Sequence, residues 1–132
     1  MLWVSGLGAG LVATALNSGI AAVARRLLGV SETFAPFTLG PVLAGSVAGA
    51  LGVVGTFSVL RRLTERPLLW LLAISAVLLL ASVRLPLGLL DSTSPRFEGA
   101  NYRVVAVLFL MHTVVATCSV GQVYLRTRRR GQ

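Results

Sequence analysis

The sequence predicts an all-α fold, an integral membrane antiparallel four-helix bundle, with residues 1–132 forming a single four-span domain. Three observations predict it. Hydrophobic residues make up 55% of the chain and charged residues 12%, whereas a soluble domain carries about 25% charged residues. The mean hydropathy is +0.84. Four charge-poor stretches each reach the ~20 apolar residues a helix needs to cross a hydrocarbon core about 30 Å thick. Disorder, which needs low hydrophobicity and many charges, is excluded. A chain of 132 residues has room for one domain.

The spans are expected at about 3–25, 38–61, 67–89 and 103–125, followed by a basic tail, 126–132. Residues 1–24 carry no charge and run into Arg25-Arg26. They lack the positive n-region of a signal peptide and are too long for its apolar segment, so they read as a retained helix. Residues 33–60 are uncharged and end at Arg61-Arg62. Residues 67–90 hold one charge, Arg84, and residues 104–125 hold none. No water reaches such segments to satisfy backbone groups, so each should be helical.

The links are short. Ser31–Pro36 combines Glu32 with a proline, and Leu63–Pro67 is a tight turn whose Pro67 suits the first turn of a helix. Asp91–Arg103 is the longest link. Short links make consecutive helices antiparallel neighbours. All twelve basic residues are arginine, against four acids, Glu32, Glu65, Asp91 and Glu98. With four spans, one side holds Arg61, Arg62, Arg66 and the tail arginines Arg126, Arg128, Arg129 and Arg130. The other holds Arg25, Arg26, Arg96 and Arg103. Seven against four places both termini in the cytoplasm. Arg25-Arg26 is an awkward pair on the outer side, partly offset by Glu32. The tail reads as a membrane anchor at the anionic inner leaflet.

Spans one and two are striped with small residues. Gly6, Gly10, Thr14, Ser18 and Ala22 recur every four positions, as do Ala44, Ala48 and Gly52, and Gly45 with Gly49 forms a GxxxG. Such stripes let helices approach closely in lipid. They read as packing within one bundle; a dimer face on span two is the sharper alternative. Gly6-Leu7-Gly8-Ala9-Gly10 is glycine-rich, but it lacks the strand and the Lys-Ser/Thr of a phosphate loop.

Polar groups inside spans point to function by default. Three stand out: Asn17, Arg84 and His112. At about 1.5 Å rise per residue they lie roughly 10, 9 and 13 Å below the outer ends of their spans. They form a candidate polar layer, with Ser82 and Thr113 nearby. Arg84 is expected to meet an acceptor: the Asn17 side-chain oxygen, a carbonyl freed near Pro86, or Asp91 or Glu98. Each residue also has a structural reading: snorkelling for Arg84, helix glue for Asn17, and a neutral ring bonded to a backbone carbonyl for His112.

The same inventory argues against catalysis. No acid lies inside a span, and the single His excludes an HExxH. Nothing marks a nucleophile elbow. Small four-span proton-coupled exporters are similar in length, but they rely on a membrane-embedded Glu, and here every Glu is in a link. Cys118 is the only cysteine, so neither a disulfide nor a cysteine metal site can form within the chain. No cofactor is expected. A pI near 11.7 admits nucleic acid as a partner, but the arginines flank apolar runs instead of forming a basic face, so none is expected.

Leu110-Met111-His112 followed by Val114-Val115-Ala116, with Asn17, Arg66, Trp70, Ser82 and Pro86-Leu87 in order, resembles a bacterial family of small four-helix membrane proteins of unknown function. The likeness runs from about Ala13 to Arg130. Members often continue the last span with Ile-Pro, where this chain has Ser119-Val120-Gly121. The resemblance implies a fold and an address in the bacterial inner membrane, but no activity. The expected function is therefore structural or interactive, as an accessory subunit of a membrane assembly. Its partners are the bilayer and other membrane subunits or a second copy of itself. The alternative is a small-solute binder or transporter using the polar layer.

Overall fold

In the computed structural model, which describes residues 2–129, every regular element among the described residues is helical. Four helical stretches are long and apolar enough to cross a membrane: Trp3–Leu28, Leu39–Leu63, Pro67–Gly88 and Tyr102–Arg128. They form a helical bundle.

Helix α1 spans Leu2–Leu28. It ends at Gly29, whose φ of 63° is the left-handed conformation that closes many helices and favours glycine. Arg25 and Arg26 therefore lie inside the last helical turn. The link that follows folds onto itself. Phe34 and Phe37, both buried, meet edge to face at 5.1 Å around a short 3-10 turn at Ala35–Phe37. They join Ala21, Ala24, Val42, Val104, Leu108 and Met111 in one apolar cluster.

Helix α2 spans Leu39–Leu63, with Arg61 and Arg62 in its last turn. Helix α3 spans Pro67–Ala81, with Pro67 in its first turn as expected. The third span, read from sequence as one helix over 67–89, is broken: a turn at Ser82–Val83 separates α3 from a short helix α4, Arg84–Gly88. The physical cause is Pro86. It has no N–H to answer the Ser82 carbonyl, and its ring crowds that group.

The long link contains a second 3-10 turn, Pro95–Phe97. Asn101 then caps the last helix, its Oδ1 accepting from the backbone N–H of Arg103 (2.9 Å) and Val104 (3.1 Å), as an N-cap side chain does. Helix α5 spans Tyr102–Arg129. The basic segment read as a tail thus continues the helix at least to Arg129.

Helices α1, α2 and α5 make the core of the bundle, and α3 packs mainly against α2 and α5. The buried face of α1 is a ladder of small residues: Ser5, Ala9, Ala13, Asn17 and Ala21, with Gly6, Gly10 and Thr14 beside it. A methyl group at Gly10 would sit 3.0 Å from the Val47 Cα, so the two backbones touch. A methyl at Gly6 would meet Val54, and one at Gly49 would meet Val115, each at 2.8 Å. Gly45 and Gly52 face open space. Of the five packing glycines named from sequence, Gly6, Gly10 and Gly49 stand at helix contacts, and Gly45 and Gly52 do not.

Candidate functional site

A cavity of ≈ 440 Å³ lies between α2, α3 and α5, with Asn17 of α1 reaching its wall. It exists because α3 packs loosely. Only Leu71 is buried along that helix, and its bulky side chains hold it away from α2. Gly45, Gly49 and Ser46 on the facing side of α2 leave the remaining space unfilled.

The polar groups of the cavity come from four helices. Asn17 is 2% exposed. Its Nδ2 donates to Ser46 Oγ (3.3 Å) and to the Met111 carbonyl (3.2 Å), tying α1 to α2 and α5. Because a carbonyl can only accept, the second bond fixes which way the amide points. Its Oδ1 is then buried with no hydrogen-bond partner. Leaving such an acceptor unmade costs about 1–3 kcal/mol, a cost carried inside the α1–α2–α5 contact, since the oxygen is closed off from the cavity as well as from solvent.

His112 lines the same cavity while remaining exposed on its outer side. Its Nδ1 lies 2.7 Å from the Leu108 carbonyl, which requires the proton on Nδ1 and leaves Nε2 as an acceptor in the neutral ring. Ser82 Oγ donates to the Leu79 carbonyl at 2.6 Å. Ser75 contributes a hydroxyl from α3. The remaining wall is apolar, including Val42, Val53, Leu78, Leu108 and Val115. Asn17 and His112 are thus brought to one cavity, with Ser46, Ser75 and Ser82. Chemically the site can hold an apolar body and accept hydrogen bonds from it; it has no acid to move a proton.

Arg84 lies elsewhere. It opens α4 beyond the helix break, is exposed, and does not line the cavity. The acceptors expected for it do not meet it: no hydrogen bond or ion pair of Arg84 is formed among the described residues. The rise per residue gives depth along the axis but not direction around it, and Arg84 is exposed away from the cavity.

The structure adds a contact that the sequence reading lacked. Arg25, set down as an awkward outer charge balanced by Glu32, instead donates from its guanidinium to the Phe37 carbonyl. It pins the α1–α2 link, and its Nε is buried without a partner. A long cation one turn before a glycine helix end was the available signal. Of the anchor arginines, Arg126 borders a second cavity at the far end of the bundle and Arg128 is exposed. The side chain of Arg129 and all of Arg130 lie outside the described residues. Among the described residues no group of three or more potential metal ligands occurs. No family model, curated protein or solved structure matches the chain.

Proposed function

We propose that this chain is a non-catalytic, multi-pass protein of the bacterial inner membrane, with antiparallel spans and both termini cytoplasmic, that binds a small, mostly apolar molecule between α2, α3 and α5. The observation that carries the reading is the cavity itself: an apolar chamber with His112, Ser46, Ser75 and Ser82 among its lining residues. A hydroxyl or amine on the guest would donate to His112 Nε2, the ring nitrogen not used on the Leu108 carbonyl. Membrane placement is supported by the span lengths and by the outer faces, where Leu11, Val23, Leu72, Val77 and Leu80 are all exposed. It is also supported by Trp70 and Tyr124, exposed near Arg66 and Arg126 at the ends of their helices, as interfacial aromatic residues are.

Filling the chamber tests the reading. Gly45 has open space around it and lines the cavity, so Gly45→Leu should fold and occupy the guest's volume. Native mass spectrometry of the purified protein should show a small-molecule adduct on the wild type that G45L lacks. Identical adduct patterns on both would sink the binding site.

A second reading, a structural or interactive accessory subunit, is favoured by α3. Only 6% of its most apolar window is buried, against 39% for α1, so one span presents nearly its whole surface outward. Affinity purification with mass spectrometry separates the two readings: a stoichiometric membrane partner supports the subunit, and a lone protein with a bound small molecule supports the binder. In either case the likeness to the four-helix family of unknown function remains a proposal of kinship.

A further inference from the structure

We infer that the opposite end of the bundle carries a binding site for the phosphate group of an anionic phospholipid. The inference rests on the membrane placement proposed above but not on the cavity at Asn17. A separate cavity of ≈ 480 Å³ is bounded by the end of α2 (Phe57, Arg61), the following turn (Glu65, Arg66), the first turn of α3 (Leu68, Leu69) and the end of α5 (Arg126, Thr127). Three arginines from three different segments therefore converge on one space, with a single carboxylate among them. No ion pair joins Glu65 to any of them among the described residues, so their charge is not spent internally.

One of the three, Arg61, is also prepositioned. Arg61 lies over the ring of buried Phe57, 6.0 Å from its centroid, an arrangement that holds a guanidinium plane by cation–π attraction. Guanidinium groups match phosphate oxygens two at a time. Thr127 is not a donor to the site, since its hydroxyl is used on the Val123 and Tyr124 carbonyls. The rest of the lining is apolar: Phe57, Pro67, Leu68 and Leu69. A free phosphate has nothing to place against that lining; a phospholipid has its glycerol and first methylenes. The arginines lie at the ends of apolar spans, at the level where headgroups begin. Basic pockets between helices at the cytoplasmic surface suit anionic headgroups.

The test uses the full chain purified in a neutral detergent. Its thermal unfolding is followed while phosphatidylglycerol, phosphatidylcholine or inorganic phosphate is added at equal phosphorus. Phosphatidylglycerol should raise the unfolding temperature and the other two should not. Each arginine removed should weaken the lipid's apparent affinity roughly fivefold, so R61Q/R66Q/R126Q should lose about a hundredfold. R96Q/R103Q, which removes two arginines from the other end, should respond like the wild type. R126Q alone serves if the triple variant fails to fold.

An equal response of the triple variant, or of R126Q where that replaces it, would overturn the site. So would a loss in R96Q/R103Q as large as in the triple variant, and an equal shift by inorganic phosphate would assign it to the free ion. Release of the wild-type chain from membranes by alkaline carbonate would overturn the membrane placement itself; a carbonate-resistant chain that ignores phosphatidylglycerol would overturn the site alone.

Discussion

Helices α1 and α3 are both apolar enough to cross a membrane, yet one is locked into the bundle and the other leans on it. The α1 face that meets α2 and α5 is made of Ser5, Gly6, Ala9, Gly10, Ala13, Thr14 and Asn17. The α3 sequence is dominated by leucine, and only Leu71 is buried. In lipid a leucine gains little by leaving acyl chains for another helix, because both surroundings are equally apolar. Association comes instead from close packing and interhelical hydrogen bonds. Small side chains let α1 approach α2 until backbone meets side chain, and Asn17 then bonds across both neighbours. Large ones keep α3 at a distance, and the chamber between α2, α3 and α5 is the result. Hydropathy therefore marks which segments are apolar enough to cross a membrane; side-chain size decides which of them pack.

The contrast can be broken most severely at Gly10. Gly10→Leu puts a branched side chain where a single methyl already meets the Val47 backbone at 3.0 Å. It should cost about 3 kcal/mol or prevent assembly, read as loss of cooperative unfolding in a denaturing-detergent titration. Leu71→Ala, at the single buried contact of α3, should cost about 2 kcal/mol; Leu72→Ala, on the exposed side of the same helix, should leave the transition in place. Asn17→Leu removes the bonds to Ser46 and Met111 together with the unpaired oxygen, for a net loss of about 1 kcal/mol by the same titration. The smallest effect belongs to Arg84→Gln. Its side chain is exposed and unpaired among the described residues, so neither the unfolding transition nor the adduct in the Asn17 cavity should change. A lost adduct would return Arg84 to the site.

Much of this was legible in the sequence, and the rest had a physical reason to be hidden. Run length and charge located four spans, and Pro86 marked the weak point of the third, although the break at Ser82–Val83 needed the geometry. The polar residues revealed depth along each helix axis but not direction around it. That is why Arg84 was grouped with Asn17 and His112 and turned out to face away. Direction depends on how each helix is rotated against its neighbours, which four-residue spacing alone leaves open: Gly45 and Gly49 lie on one stripe, yet Gly49 meets Val115 and Gly45 meets nothing. The Arg25 contact with the Phe37 carbonyl was hidden for a related cause. Its partner is a backbone atom in an irregular link, and side-chain chemistry does not announce backbone partners.

Whether the chain crosses a membrane four times, with the α2–α3 turn and the long α4–α5 link on opposite sides, decides most of what is proposed. Single cysteines, E65C and S94C, placed in a Cys118→Ala background and treated in intact cells with a membrane-impermeant maleimide, measure it directly. The four-span arrangement predicts that S94C reacts at once and that E65C reacts only after the membrane is opened. Labelling of both positions in intact cells, or of neither, would contradict it.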